Sequence, residues 1–253
     1  MPNLQRLLRR VARQPHVAAL IARVSGVERA TLIVVILGAG GLFAFAKIAN
    51  AVGRGSTRAF DEWLLVALRT PGNLADPIGP QWLEEMMRDF TAMGSTGVLT
   101  LMVLTIAGFL AMTRKGYAAL FVLAAVIGGT LISQTMKWAY ARPRPDLVPH
   151  GAEVYTASFP SGHSMMSAVV YLTLGALLAG TQADRAVKVY ILVVAVTLTA
   201  LVGTSRVYLG VHWPTDVLAG WSLGGVWALL CWLVMSWLQT RGQVEDETGA
   251  KAD

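Results

Sequence analysis

The chain has 253 residues, of which 55% are hydrophobic and only 14% are charged, with a formal net charge of +6. Because soluble domains contain about 25% charged residues, this composition excludes an ordinary soluble enzyme and predicts an integral membrane protein. The basic residues do not alternate with aromatic residues in a stripe, so no nucleic-acid partner is expected.

Six apolar stretches are long enough, or nearly so, to cross a bilayer as helices of about 20 residues. They lie near residues 30–48, 95–113, 117–136, 163–182, 188–204 and 216–238. Backbone in lipid must satisfy its own hydrogen bonds, and runs this long are not barrel strands. The sequence therefore predicts an all-α, six-helix membrane bundle over residues 30–240.

The lysine and arginine residues predict the orientation of this bundle, because they collect on the cytoplasmic side of a membrane. They are concentrated in residues 1–29, in the connections after the second and fourth spans, and in the C-terminal tail. Both termini are thus expected in the cytoplasm, and the other three connections on the external side. For a bacterial protein, the membrane would be the cytoplasmic membrane.

The two ends of the chain are polar. Residues 1–29 place leucines at helical spacing among arginines, which is typical of an amphipathic helix on the cytoplasmic leaflet; a basic retention signal explains the pattern equally well. Ala49-Asn50-Ala51 also resembles a signal-peptide cleavage site, but Lys47 and the long polar lead-in favour a retained first helix. The tail, residues 241–253, is expected to be disordered.

The external segment 51–94 connects the first two spans. Two groups of large apolar side chains predict two short interfacial helices in it. These helices either cover a site and guide a lipid tail or simply pack against the rim of the bundle. The two groups are Phe60, Trp63, Leu64, Leu65 and Leu68, and Trp82, Leu83, Met86 and Met87.

A first polar cluster, Lys137-x6-Arg144-Pro145, ends the third span. Prolines 143 and 145 stop the helix, which leaves irregular backbone around the arginines. Arginine presents a planar fork that matches phosphate oxygens, and lysine a compact point charge. Snorkelling of juxtamembrane bases towards lipid headgroups is the structural alternative. Arg142 is an auxiliary candidate, for instance for a second phosphate.

A second cluster, Pro160-Ser161-Gly162-His163, begins the fourth span. Ser161 is a natural N-cap, and Gly162 allows the backbone to approach a ligand closely. The unpaired N–H groups at a helix start attract anions, and His163 stands beside them in the first turn. Ordinary helix capping explains the serine and glycine equally well.

A third cluster, Ser205-Arg206-x5-His212-x3-Asp216, lies between the fifth and sixth spans. Arg206 is expected to follow the fifth helix. His212 and Asp216 are four residues apart at a helix start, so their side chains can meet. A carboxylate on one imidazole nitrogen fixes the tautomer and leaves the other nitrogen free to attack. A surface histidine beside a capping aspartate is the structural alternative.

The three clusters all fall on the predicted external side, where short connections make sequential helices neighbours. Three cations, a helix start and two histidines are therefore expected to converge into one site for binding and transferring phosphate. No cluster of carboxylates indicates a Mg²⁺ site, so neither a metal nor another cofactor is expected.

These three motifs resemble the tripartite signature of the type 2 phosphatidic acid phosphatases, the integral-membrane lipid phosphate phosphatases related to vanadium haloperoxidases. All three match without substitution between residues 137 and 216. The resemblance implies that His212 is the nucleophile, that Asp216 orients it, and that His163 protonates the leaving oxygen. It also implies that the phosphoryl group is held by Lys137, Arg144, Ser161, Gly162 and Arg206.

The resemblance further implies hydrolysis of a phosphomonoester or pyrophosphate carried by a phospholipid or polyprenol. Undecaprenyl pyrophosphate is the favoured substrate, given the external site, and phosphatidylglycerophosphate or phosphatidate is the alternative. Two other classes of protein stay open: a vanadate-dependent haloperoxidase, whose known members are soluble, and a protein that binds or transports lipid phosphates. The sequence contains no indication of the oligomeric state.

Overall fold

The computed structural model describes residues 15–152 and 156–240, and the side chains of residues 31–152 and 156–239. This part of the chain forms eight helices and one short hairpin. The helices are α1 (Pro15–Gly53), α2 (Arg58–Ala67), α3 (Gln81–Ala92), α4 (Thr96–Met112), α5 (Gly116–Tyr140), α6 (Gly162–Gly180), α7 (Arg185–Tyr208) and α8 (Pro214–Thr240). The antiparallel strands β1 (Arg69–Thr70) and β2 (Asn73–Pro77) lie between α2 and α3.

Five of these helices, α1 and α5 to α8, are long and apolar enough to cross a membrane. Helices α3 and α4 make a sixth span if they are counted as one path bent by 48°. The predicted all-α membrane bundle of six spans is thereby confirmed. Four helices, α1, α5, α7 and α8, are longer than their apolar runs, because a helix continues for as long as its backbone and polar side chains find partners.

The end of α7 shows this difference. Sequence hydropathy places the end of the fifth span near residue 204, with Arg206 after it. The helix instead continues to Tyr208, and Arg206 lies buried in its last turn. Its guanidinium reaches the hydroxyl of Thr91 at 2.9 Å, so the charged residue is accommodated inside the helix. The expectation that Arg206 follows the helix was wrong.

Helix α6 lies at the centre of the bundle and packs against α5, α7 and α8. More than half of its span is buried, whereas α1 is mostly open to the surroundings. An apolar core joins α6 to α4, α5 and α7. It consists of Leu99, Val103, Val122, Val170, Tyr171, Ala195 and Val202. Helix α6, which carries the second polar cluster in its first turn, is therefore held by four neighbouring helices, α4, α5, α7 and α8.

Glycines bring α8 into backbone contact with α6. A Cβ atom added at Gly220 would lie 2.8 Å from the carbonyl oxygen of Ser161, and one at Gly224 only 2.5 Å from that of Met165. The Ser161 N–H donates to the carbonyl of Asp216 at 3.0 Å. Small residues allow such close crossings of membrane helices. The crossing fixes the start of α6 against the start of α8.

The connecting segment 51–94 contains the two short helices that were predicted, α2 and α3, and a hairpin between them, which was not predicted. Arg69 donates to the carbonyl of Tyr208 at 2.9 Å, and the Tyr208 hydroxyl donates to the carbonyl of Ile78 at 2.8 Å. These reciprocal bonds dock the hairpin on the C-terminal end of α7. On α2, Trp63 faces outwards with 65% of its surface exposed, whereas Asp61 is fully buried.

The predictions for the chain ends concern residues that are only partly described. The tail 241–253 and residues 1–14 lie outside the described residues. From Pro15 onwards the backbone is one helix continuous with the first span, so this helix begins earlier than residue 30. Ala49, in the proposed cleavage motif, is buried inside this helix against Phe159 and Ala219.

Candidate active site

A cavity of about 320 Å³ opens at the end of the bundle where α5 ends and α6 begins. It brings together side chains from all three predicted clusters. Those that line it are Lys137, Arg144, Gly162, His163, Arg206 and His212. Ser161 and Asp216 lie directly behind this lining and are fully buried. The predicted convergence of the clusters is present in the structure.

Lys137 lies in the last turn of α5, as predicted. The helix ends after Tyr140, where Ala141 takes a left-handed conformation with φ of 42°. The ammonium of Lys137 donates to the carbonyl of Ala157 at 2.5 Å, across the connection that leads into α6. A Cβ at Gly162 would lie 3.4 Å from Cε of Lys137. The lysine thus stands against the start of α6, with its charge in the cavity.

Ser161 caps α6, as predicted. Its hydroxyl oxygen accepts from the N–H of Ser164 at 3.4 Å and from the Ser164 hydroxyl at 2.9 Å. The first N–H groups of a helix have no partner within the helix, and the macrodipole places partial positive charge there. Since Gly162 and His163 line the cavity, this helix start faces the same space as the cations.

His212 and Asp216 meet as predicted, with Nδ1 of His212 at 3.4 Å from Oδ2 of Asp216. The hydroxyl of Ser158 donates to the same carboxylate oxygen and lies 3.2 Å from Nδ1. The N–H of Trp213 also donates to Oδ2, at 3.0 Å. The carboxylate therefore has several fixed donors, and it holds one side of a fully buried imidazole.

The other imidazole nitrogen, Nε2, faces Arg144, whose Nη1 lies at 3.0 Å. A guanidinium only donates hydrogen bonds, so Nε2 must accept this one, and the proton of the neutral ring must sit on Nδ1. Burial first, and then the neighbouring cations, above all Arg144, hold the pKa of His212 well below its ordinary value. The ring is thus neutral, with a lone pair on the nitrogen that faces the cavity.

Arg144 is itself fixed by the backbone. Its Nη1 donates to the carbonyl of Val211 at 2.8 Å, and its Nε to that of Thr156 at 2.8 Å. Arg206 is held at one point, through Thr91, and its Nε is buried without a hydrogen-bond partner among the described residues. An orphaned, buried donor costs free energy unless a ligand or water satisfies it. Both arginines therefore present N–H groups suited to an anion in the cavity.

Arg142 does not line the cavity. Its Nη1 donates to Asp216 Oδ1 at 2.6 Å, and its Nη2 to Asp61 Oδ2 at 2.7 Å. The interpretation of Arg142 as a ligand of a second phosphate is therefore not supported. Two buried carboxylates bind its guanidinium, one on each Nη atom.

Within the part of the chain that the structure describes, no group of three or more His, Cys, Asp or Glu side chains is placed to hold a metal ion. The positive charge in the cavity comes from Lys137, Arg144 and Arg206. In chemical terms this donor set suits an anion.

Three residues of the site escaped the sequence analysis: Ser158, Asp61 and Thr91. Each carries an ordinary polar side chain in a segment where polar residues are common, and each bonds a partner far away in sequence. Asp61 contacts Thr215, 154 positions later, and Thr91 contacts Arg206, 115 positions later. The only sequence signal was that Asp61 interrupts the apolar face of α2.

Comparison with known proteins agrees with this architecture. The sequence pattern of the PAP2 superfamily matches residues 118–240. The chain is 33% identical over 184 residues to phosphatidylglycerophosphatase B of Bacillus subtilis, an alignment that covers 71% of this chain and 85% of the relative. It is 34% identical over 107 residues to an undecaprenyl-diphosphatase of Sulfolobus acidocaldarius, over 41% of this chain and 46% of that protein.

The fold matches a solved structure as well. A crystal structure of a transmembrane PAP2-type phosphatidylglycerolphosphate phosphatase from Bacillus subtilis superposes with a TM-score of 0.72 and 30% identity, covering 79% of this chain and 96% of that one. The chain is therefore a multi-pass membrane enzyme of the phosphatase class. It belongs to the PAP2 superfamily, and the family resemblance found from its three motifs is confirmed.

Proposed function

We propose that this protein hydrolyses a phosphomonoester or pyrophosphate carried by a membrane lipid, through a phosphohistidine formed on His212. The observation that carries the proposal is the Nε2 lone pair of His212 facing a cavity with three cations. In a bilayer, such charges are costly unless they serve a partner of opposite sign.

In the first half of the reaction, Nε2 of His212 attacks phosphorus, and the P–O bond to the lipid breaks. His163, which lines the same cavity, gives a proton to the leaving oxygen. The proton on Nδ1 is held by Asp216, which stabilises the positive charge that develops on the ring. In the second half a water attacks phosphorus, the P–N bond breaks and inorganic phosphate leaves, while His163 takes up a proton from the water.

The phosphoryl group is held by the cavity lining. Lys137, Arg144 and Arg206 provide charge, and Ser161 and Gly162 provide the start of α6. Phosphoryl transfer is promoted mainly by positioning and by stabilising the charge on the equatorial oxygens. Three fixed cations can supply that stabilisation, so we expect activity without an added divalent ion.

Two lipid substrates are supported by relatives. The relative named phosphatidylglycerophosphatase B is similar over 71% of this chain. This similarity favours phosphatidylglycerophosphate as the substrate of the present protein. A shorter similarity is to a protein named undecaprenyl-diphosphatase, which agrees with the substrate favoured from the sequence. We rank phosphatidylglycerophosphate first and undecaprenyl pyrophosphate second.

The site is proposed to face the external side of the cytoplasmic membrane. The support is the distribution of basic residues: Arg114, Lys115, Arg185 and Lys188 lie at the opposite end of the bundle from the cavity. Since lysine and arginine collect on the cytoplasmic side, the cavity end is external.

The test is release of inorganic phosphate by the purified protein in detergent with EDTA present. The panel comprises phosphatidylglycerophosphate, undecaprenyl pyrophosphate, phosphatidate and a soluble phosphate ester. We expect the lipid phosphates to be hydrolysed well and the soluble ester poorly. Loss of activity in EDTA that Mg²⁺ restores would contradict a metal-independent reaction.

Two histidine variants separate the mechanism from the fold. His212→Ala should lose phosphate release and the acid-labile phosphoprotein that a rapid quench traps. His150→Ala is the matched control, because this histidine bonds the carbonyl of Pro145 and does not line the cavity. Full activity of His212→Ala would sink the mechanism. Bromide oxidation with vanadate and peroxide, in the absence of phosphate release, would favour the haloperoxidase alternative.

A further inference from the structure

A chain of buried ion pairs joins the external helix α2 to the start of α8. The guanidinium of Arg142 lies between two carboxylates, 2.7 Å from Asp61 Oδ2 and 2.6 Å from Asp216 Oδ1. Both aspartates have no exposed surface, and the arginine side chain is 14% exposed. Each carboxylate occupies a different Nη of the planar fork, so the direction of the fork is set at both ends.

Asp61 also fixes the residue next to Asp216. Its Oδ1 accepts from the N–H of Thr215 at 2.9 Å, and its Oδ2 from the Thr215 hydroxyl at 2.8 Å. The same hydroxyl oxygen accepts from Arg142 Nη1 at 2.9 Å. Asp61, Arg142 and Thr215 thus form a closed ring of hydrogen bonds beside the first turn of α8.

The backbone of Arg142 is also linked to Asp216 and His212, through Ser158. Its carbonyl oxygen accepts from the N–H of Ser158 at 2.9 Å. The Ser158 hydroxyl in turn donates to Asp216 and lies 3.2 Å from Nδ1 of His212. A movement of Arg142 would therefore displace two groups that hold the carboxylate, its own guanidinium and the Ser158 hydroxyl, and the second of these also lies beside the imidazole.

The charges explain why a second carboxylate is needed. Without Asp61, Nη2 of Arg142 would keep only a 3.4 Å contact with the Thr57 hydroxyl, so this side of the guanidinium would be weakly held. Asp61 provides the opposing anchor. Buried pairs of this kind contribute more to a unique geometry than to net stability, since desolvation offsets much of their attraction.

We propose that Asp61 is a positioning residue of the active site, which acts through Arg142 to hold Asp216 and His212 in the geometry for attack. The inference rests on the proposed function, in which those two residues carry the reaction. Asp61 contacts neither the cavity nor the reacting atoms, so its effect should appear in the chemical step and not in substrate binding.

The first experiment is Asp61→Asn, measured with the lipid phosphate that the wild-type protein hydrolyses best. Asparagine keeps the size of the side chain and an oxygen for Thr215, but it removes the charge that anchors Arg142. We expect kcat to fall by about 10-fold or more while KM stays within about 2-fold, because the geometry of attack is lost and the phosphate site is kept. A rise in KM with unchanged kcat would overturn the proposal.

A double-mutant cycle tests whether Asp61 acts through Arg142. If it does, Asp61→Asn should change kcat by less than about 2-fold in the Arg142→Gln background. If Asp61 had a separate structural role, such as docking of α2, the losses of kcat from the two substitutions would multiply. That result would refute an action of Asp61 through Arg142. If Arg142→Gln does not fold, the test is the rate of phosphoenzyme formation in a single turnover. This rate must be slower in Asp61→Asn than in the wild type, and equal rates would refute the proposal.

Glu62→Gln is the matched control on the same helix. Glu62 pairs with the exposed Arg58, so the activity of Glu62→Gln should equal that of the wild type. These experiments distinguish a failure of the role proposed for Asp61 from a failure of the proposed function. If His212→Ala is inactive and Asp61→Asn retains the wild-type kcat, only the role of Asp61 is refuted. If His212→Ala retains full activity, the proposed function itself is refuted.

Discussion

Nη1 of Arg144 lies 3.0 Å from Nε2 of His212, so the arginine contacts the nitrogen that is to attack phosphorus. Burial and this contact keep the imidazole neutral, and the contact aims its Nε2 into the cavity. When a phosphate enters, the same N–H can donate to a phosphoryl oxygen, which brings phosphorus towards Nε2. One arginine thus prepares the nucleophile and receives the substrate.

The pH dependence of kcat/KM should reflect this contact. An ordinary histidine has a pKa of about 6.5, whereas that of His212 is lowered, first by burial and then by Arg144. The wild-type protein should therefore show no loss from His212 protonation near pH 6.5, and its acidic limb should lie lower. Arg144→Gln removes a positive charge, raises the pKa of His212, and should move that limb to higher pH.

The measurement is kcat/KM against pH with one substrate for both proteins, so that titration of the substrate is common to both profiles. Arg88→Gln, in which an exposed arginine paired with Glu84 is neutralised, should leave the profile unchanged. Coinciding acidic limbs for Arg144→Gln and the wild type would contradict the prediction. The charged and titratable groups that face His212 are Lys137, Arg144, His163, Arg206 and Asp216.

Asp216→Asn should strongly reduce kcat. An amide cannot hold the proton on Nδ1 as a carboxylate does, so the imidazole loses both its tautomer and the stabilisation of its developing charge. In a serine protease triad the same change costs about 10⁴-fold, and we expect a loss of at least about 10³-fold here. Asp89→Asn, an exposed aspartate on α3, is the control and should retain full activity. A loss below about 10-fold would show that the imidazole is oriented without Asp216.

Gly224→Ala should destabilise the protein and lower its activity. The new methyl carbon would lie 2.5 Å from the carbonyl oxygen of Met165, which is main chain and cannot rotate away. Overpacking of this kind costs about 1–3 kcal/mol. The neighbouring Gly225 has no atom within 4 Å of the added Cβ, so Gly225→Ala should be as stable as the wild type or slightly more so. Thermal unfolding in detergent compares the two, and equal midpoints would refute the close crossing of α6 and α8.

Cysteine labelling in intact cells tests the proposed orientation. In a Cys231→Ala background, a cysteine at the exposed Asp146 should react with a membrane-impermeant maleimide, because it lies at the cavity end. A cysteine at the exposed Ala183, in the connection between α6 and α7, should react only after the cells are opened. The reverse pattern would place the active site on the cytoplasmic side.

The sequence was sufficient for the parts of this structure that follow from hydropathy and local spacing. The six spans follow from apolar length, and the meeting of His212 and Asp216 follows from their separation of four residues at a helix start. Ser161 was recognisable as an N-cap for the same reason. These features depend on neighbours in the chain, so a single sequence is enough to predict them.

Features that depend on distant partners were not predictable in this way. Apart from its place on the apolar face of α2, Asp61 looks in the sequence like a solvated aspartate, because its role is set by Thr215 and Arg142 across the fold. Arg142 was named as an auxiliary candidate for phosphate because of its charge, whereas in the structure two carboxylates bind it. The hairpin at 69–77 is too short and too polar to show as strands, and it forms because α7 offers Tyr208 as a docking point.

The position of α8 in the chain has a consequence for the synthesis of this protein. Helix α8 is the last of the described helices, and it carries Thr215, Asp216 and the glycines that contact α6. Asp61 and Arg142 are synthesised earlier. Until α8 has inserted, the buried carboxylate of Asp61 lacks its bonds to Thr215, and the Ser161 N–H lacks its acceptor, the carbonyl of Asp216. The active site is therefore completed only when α8, the last of the described helices, joins the helices made before it.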